Sequence, residues 1–206
     1  MIIRKKFSLR NKHIVRNCDS RRCKFNEHAH KYEVEVLIES TGLDNGYMLM
    51  DFGLFKNTIG PFIKSFDNAC SLWVKDDPEY VEYSKRDNPR VVTMKYNPSA
   101  ESISLVMFHV IDKILENTEF HNNEKHPRLY SVRVHETETG WAETFRSDMD
   151  WAQISLNDVT FNDTIIQSWS DPDMWNKLVN RIPFVNSVVQ QQVVLSQATG
   201  VQLELV

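Results

Sequence analysis

His28-Ala29-His30 opens the segment HAHKYEVEVLIES, in which polar and apolar residues alternate. Side chains two apart on a strand point to the same side, so both imidazoles can face one metal ion. A third nitrogen donor is available in His13, on the preceding extended segment FSLRNKHIV. Three histidines with an open fourth position make the donor set of a catalytic zinc site, whereas a His-x-His pair taken alone is more often ordinary surface. Cys23 lies shortly before His28, among Arg21, Arg22 and Lys24. The thiolate is the reactive form and neighbouring cations favour it, so Cys23 is a candidate base or nucleophile. Its bland alternative is an inert buried cysteine.

These side chains need elements to hold them. Tyr32, Val34, Val36 and Ile38 alternate with charged residues over Lys31–Thr41, which predicts a half-buried strand. Asp44-Asn45-Gly46 predicts a turn, with YMLMDF as a second extended stretch. Leu54, Phe55, Ile59, Phe62, Ile63 and Phe66 recur at helical spacing, and Gly60-Pro61 should bend or restart that helix. Asn97-Pro98 predicts a helix start, with Glu101 in the first turn and an apolar stripe from Ile103 to Leu115 ending near Asn117. Lys75–Asn97, polar and interrupted by proline, reads as a long loop. Tyr130–His135 alternates again, and Thr139-Gly140 turns the chain into WAETF as a closing hairpin.

The order strands, helix, helix, strands predicts an α+β domain with helices on one face of an antiparallel sheet. The character changes near Asp148. A short helix is predicted over Asp171–Val179, and the tail from Val185, rich in Val and Gln and uncharged until Glu204, reads as weak extended structure at a sheet edge or in assembly. The chain therefore divides into 1–147 and a C-terminal extension, 148–206.

A length of 206 residues with 41% hydrophobic and 25% charged residues fits one globular domain plus an appendage, and excludes disordered and fibrous classes. No apolar run is long enough for a membrane span, and MIIRKKFSLR lacks the apolar stretch of a signal peptide, so a cytoplasmic address is expected. Cys18, Cys23 and Cys70, an odd number without an export signal, are expected to be free thiols. The net charge of −4 argues against general nucleic-acid binding. Basic residues nonetheless crowd Arg4–Lys24, which would suit an anionic small ligand or form a solvated charged face.

Several motifs occur together in one order: Phe7 and His13, then C-KFNE-H-A-H-KYEVEV from Cys23, then G-YMLMDFGLFK from Gly46, then Phe66-Asp67-Asn68, then N-PSAE ending at Glu101, then V-RVHE-T ending at Thr137. In this the chain resembles the 6-pyruvoyl-tetrahydropterin synthase and 6-carboxytetrahydropterin synthase family over about residues 5 to 145. The resemblance implies the tunnelling fold, an antiparallel four-stranded sheet with two helices on one face. It also implies trimers closing a β-barrel, or hexamers of stacked trimers, with active sites between subunits. It makes His13, His28 and His30 zinc ligands and Cys23 the base on the substrate side chain. Glu136 becomes the carboxylate anchoring the pterin, with Glu101 and Thr137 supporting the pocket. Asp67 becomes the acid of an Asp-His relay, and the implied substrate is 7,8-dihydroneopterin triphosphate. Asn68 stands where the relay histidine is expected, and an amide does not exchange a proton near neutral pH as imidazole does. Ala29 replaces a glycine, and the spacing from Cys23 to His28 falls between those of the carboxy and pyruvoyl branches. Three functions follow: a zinc lyase making 6-carboxytetrahydropterin for 7-deazaguanine synthesis, a catalytically weakened member kept for pterin binding or assembly, or a related pterin aldolase or epimerase using a different proton donor.

Overall fold

The computed structural model describes residues 1–185. The chain from Ile2 to His13 forms strand β1 and, after a short helix α1 (Arg21–Phe25), returns as β2 (His28–Glu39). The two strands pair antiparallel along their whole length, with His13 opposite His28. Alternation decides the faces: Tyr32, Val34, Val36 and Ile38 are buried in the core, while Glu33, Glu35 and Lys31 point to the other side.

The predicted second extended stretch is not a strand. Asp44 instead gathers the loop, its Oδ1 accepting the amides of Gly46 and Met48 at 2.8 Å each, and Leu49 and Met50 drop into the core. The helical stretch that follows changes pitch at Gly60-Pro61, as expected. A wide turn over Phe55–Ile59 gives way to α2 (Gly60–Ile63) and a tight turn, Lys64–Phe66. A Cβ at Gly60 would lie 2.6 Å from the Phe55 carbonyl oxygen, so this change of pitch requires glycine.

The segment Lys75–Asn97, expected as a long loop, instead holds a helix and a strand. Strand β3 (Ala69–Trp73), helix α3 (Pro78–Asp87) and strand β4 (Val91–Met94) form a crossover whose strands run parallel to each other and to β1. Asp77 caps α3 through the Tyr80 amide at 3.0 Å and Pro78 occupies its first turn, a start signal inside a stretch too polar to stand out. The long helix α4 (Ala100–Glu116) is capped by Ser99 rather than Asn97 and buries its stripe against β6 (Arg128–His135) and β7 (Trp141–Phe145). A two-residue strand, β5 (Thr118–Glu119), follows α4.

The sheet is therefore seven-stranded and mixed, in the order β7-β6-β2-β1-β3-β4-β8, rather than four-stranded and antiparallel. Its last member, β8 (Val159–Phe161), comes from the segment read as an extension and pairs with β4. Helices lie on both faces: Cys70, Leu72 and Val91 face Tyr80 and Val81 of α3, apart from the main core covered by α4. Short helices α5 (Met149–Ala152) and α6 (Asp163–Gln167) precede α7 (Met174–Asn180), which answers to the helix expected over 171–179. This segment is built into the main core. Phe161 meets Phe62, Phe66, Trp169 and Trp175 with ring centroids 5.2–6.2 Å apart, and the Trp169 indole N–H donates to Ser65 Oγ at 2.8 Å. A final strand, β9 (Phe184–Val185), pairs with β5. The Val/Gln tail beyond Val185 lies outside the described residues.

Candidate metal and active site

At the end of the β1–β2 hairpin, His13, His28 and His30 converge on the core side of the sheet, one ring nitrogen of each within 4.8 Å of the others. His13 comes from the end of β1 and the pair from the start of β2, so the antiparallel register itself brings them together. Ala29 lies in β2 and is not among the positive-φ residues, so the absence of glycine there costs no backbone strain.

His13 is fully buried. Its Nδ1 lies 2.5 Å from the carbonyl oxygen of Pro98. A carbonyl only accepts, so Nδ1 carries the hydrogen and Nε2 presents a lone pair to the cluster, the orientation a metal-ligating histidine takes from such a partner. Burial drives the His13 pKa down to about 4, against the opposing pull of the Pro98 carbonyl, so the ring is neutral at pH 7. His30 is shifted down too, chiefly by burial. Three converging imidazoles, with His13 neutral and its Nε2 lone pair turned inward, fit a divalent metal ion.

Glu136 follows the last residue of β6, in the turn closed by Thr137 Oγ1 accepting the Gly140 amide at 2.9 Å. Its Oε1 accepts the Tyr32 hydroxyl at 3.1 Å and lies 3.6 Å from His13 Nε2 and 3.7 Å from His30 Nε2. Burial and the Glu136 carboxylate hold the Tyr32 phenol well above its ordinary range, so the hydroxyl keeps its proton and donates. Glu101 sits in the first turn of α4, close to the Pro98 carbonyl in the chain, and its charge contributes to the shift at Tyr32.

Cys23 lies partly buried in α1, in a loop tied down by Arg16. The Arg16 guanidinium pairs with both oxygens of Asp76 at 2.9 and 3.1 Å, donates to the Lys24 carbonyl at 2.8 Å and stacks over Tyr80, 5.6 Å from its ring centre. Asn97 clamps the same residue, accepting its amide at 3.0 Å and donating to its carbonyl. Sequence reasoning read Asn97-Pro98 only as a helix start. The signal it offered was an extended X-Pro step, in which the Asn97 carbonyl is taken by Ser99 and Ser102 and the Pro98 carbonyl is left for His13.

Asp67 and Asn68 stand apart from this cluster. Asp67 Oδ1 accepts the Arg10 amide at 2.8 Å and Oδ2 faces Lys64 Nζ at 3.1 Å. Asn68 adopts a left-handed φ of 52° and its amide donates to the Arg10 carbonyl at 2.6 Å. Neither side chain has a contact to Cys23 or the histidines among the described residues. Nor does another histidine take up the relay position. His135 is on the opposite face of the sheet, 3.5 Å from Glu35, and His109 lines a separate cleft of about 520 Å³ between α4 and the C-terminal segment. Much of the basic run is spent in ion pairs: Arg4 and Lys6 meet Glu35 and Glu33, and Lys12 meets Glu27. Cys70 is buried beside Glu27 and its thiol is pushed up to about 12, chiefly by burial, which makes it inert.

The α+β chain thus carries three convergent histidines that could hold a metal ion, with a carboxylate beside them. The family model for 6-pyruvoyl tetrahydropterin synthase matches residues 2–147, and the chain belongs to that family. Two proteins named 6-carboxy-5,6,7,8-tetrahydropterin synthase, from Helicobacter pylori strains J99 and 26695, are 40% and 39% identical to it over 184 residues. Each match covers 87% of this chain and 92% of the relative, more than residues 2–147 alone could supply, so part of the C-terminal segment is shared. Among solved structures, an uncharacterized protein from Wolinella succinogenes (17% identity, TM-score 0.53) covers 71% of this chain and 98% of its own. The 6-pyruvoyltetrahydropterin synthase of Plasmodium vivax (16% identity, TM-score 0.51) covers the same shares, and both likenesses concern the fold. No helix among the described residues is long and apolar enough to cross a membrane.

Proposed function

We propose that this chain is a zinc-dependent lyase that converts 7,8-dihydroneopterin triphosphate to 6-carboxy-5,6,7,8-tetrahydropterin in the cytoplasm, supplying 7-deazaguanine (queuosine-type) synthesis. The observation that carries the reading is the convergence of His13, His28 and His30 beside Glu136 and Tyr32. The names of the Helicobacter relatives favour the carboxy product. His13, His28 and His30 would hold a zinc ion, which would supply Lewis-acid polarisation of the substrate side-chain hydroxyls. Cys23 takes a proton from that side chain. Glu136 accepts hydrogen bonds from the guanidine-like edge of the pterin, with Glu101 and Thr137 bordering the pocket. The basic N-terminal segment, crowded between Arg4 and Lys24, would suit the anionic end of the substrate.

Asp67, held by Arg10 and Lys64 away from the histidines, would act on such a site from another copy of the chain, in a homotrimer or a hexamer of stacked trimers. The edge of β1 supports this reading: β3 pairs only with residues Asn11–His13, and Ile2–Phe7 has no strand neighbour on that side among the described residues. A second reading, a weakened member retained for binding or assembly, draws on Asn68, whose amide cannot serve as the relay acid. Incubating the zinc-loaded protein with 7,8-dihydroneopterin triphosphate and weighing the products by mass spectrometry tests both. A carboxytetrahydropterin that disappears with Cys23→Ala is the expected result. Zinc and pterin bound with no product would replace the lyase reading by the second.

A further inference from the structure

The position of Glu136 exceeds what anchoring a pterin requires. Its Oε1 lies 3.6 Å from His13 Nε2 and 3.7 Å from His30 Nε2, both beyond hydrogen-bond length. His13 Nε2 carries a lone pair, because its Nδ1 is committed as donor to the Pro98 carbonyl. A carboxylate oxygen and an imidazole lone pair therefore face each other with no proton between them, an arrangement that is repulsive unless a cation lies between. Two ligand atoms roughly 2.0–2.2 Å from one ion at a near-tetrahedral angle are about 3.3–3.6 Å apart, close to both separations. The Tyr32 hydroxyl, buried and donating to the same Oε1 at 3.1 Å, fixes the carboxylate in this pose. The Tyr32 oxygen also lies 3.4 Å from His13 Nε2, but its one proton is committed to Glu136, so it braces the carboxylate alone.

We propose that Glu136, aimed by Tyr32, is the fourth ligand of the metal centre before substrate arrives. The carboxylate closes the open coordination position in the resting protein and yields it when substrate oxygens enter, becoming free for the pterin edge. The inference rests on the three-histidine metal reading and adds to it a ligand and a positioning residue.

Metal binding itself provides the test. Apo-protein is titrated with zinc against a chromophoric chelator, and with cobalt(II) followed by its visible ligand-field absorption, both without substrate. Glu136→Gln and Glu136→Asp should each weaken zinc binding by about tenfold or more and lower the intensity of the cobalt bands. Tyr32→Phe, which keeps the buried ring and the carboxylate but removes the brace, should give a smaller loss in the same direction. His28→Ala calibrates the assay. Loss of metal with His28→Ala but unchanged affinity and cobalt spectrum with Glu136→Gln would overturn the fourth-ligand role and leave the three-histidine site standing. Wild-type behaviour of Glu136→Asp would also overturn it, since that variant keeps the charge and shortens the reach. Full retention of metal by His28→Ala would remove the three-histidine site and this inference together.

Discussion

The two halves of the sheet do different work. The antiparallel half, β7-β6-β2-β1, carries the convergent histidines, Tyr32 and the turn of Glu136, and its chemistry is assembled by strand register plus one carbonyl, that of Pro98. The other half, β3-β4-β8, carries no ligand set among the described residues. It contributes burial instead, through Phe161 and its aromatic neighbours, and clamps the Cys23 loop from Asp76 and Tyr80 next to β3. Asp67 and Asn68 lie at the seam, held by β1 backbone rather than by the site. The three histidines thus converge within one chain, while Asp67 and Asn68 are held by Arg10 and Lys64 and not by the cluster.

If the halves are separable in this way, damage to one should spare the other. Trp169→Ala removes an indole that is 4% exposed and hydrogen-bonded to Ser65, and should cost about 3–5 kcal/mol of unfolding free energy while metal affinity per folded molecule stays unchanged. Urea unfolding and metal titration of the same preparation read both quantities, and a parallel loss of metal would break the comparison. In the antiparallel half, the depressed pKa of His13 sets a pH dependence in the metal-free protein. The unfolded chain takes up a proton below about pH 6.5 whereas the folded one waits until about 4, so stability is fully present above pH 6.5 and falls as pH drops through that window, by up to about 3 kcal/mol. His13→Gln should flatten that slope. His28→Ala, partly exposed at the rim of the cluster, should weaken zinc binding at least about a hundredfold and leave the far-ultraviolet circular dichroism unchanged.

The same division governs what was legible beforehand. The histidines, Tyr32 and the stripe of α4 announce themselves because strand and helix periods fix which side chains share a face. The crossover β3-α3-β4 does not. Ala69–Trp73 is buried on both faces and short, so it shows no alternation, and α3 is a polar surface helix whose only signals are Asp77 and Pro78 at its start. Residues after 148 read as an appendage because their apolar content is aromatic and scattered. Phe161, Trp169 and Trp175 become a core only when tertiary packing brings them onto Phe62 and Phe66. The Pro98 carbonyl and the Arg16 hub are contacts between distant segments, which no local spacing encodes.

The smallest expected effect falls on the seam and sharpens the comparison most. Asn68 is exposed, its φ of 52° belongs to a region where asparagine and histidine are both enriched, and only its backbone N–H is engaged with Arg10. Asn68→His should therefore fold normally and leave metal affinity as it is, because the seam does not touch the histidine cluster. If the proton relay runs through this position, the imidazole should raise turnover of 7,8-dihydroneopterin triphosphate at least about tenfold, with a pH–rate limb near the ordinary histidine range that the parent lacks. The gain should vanish with Asp67→Asn, which removes the neighbouring carboxylate. It should also vanish on dilution to monomers, since within one chain neither residue meets Cys23. A gain that persists in a monomer would bring the seam and the cluster into one site and end the division argued here.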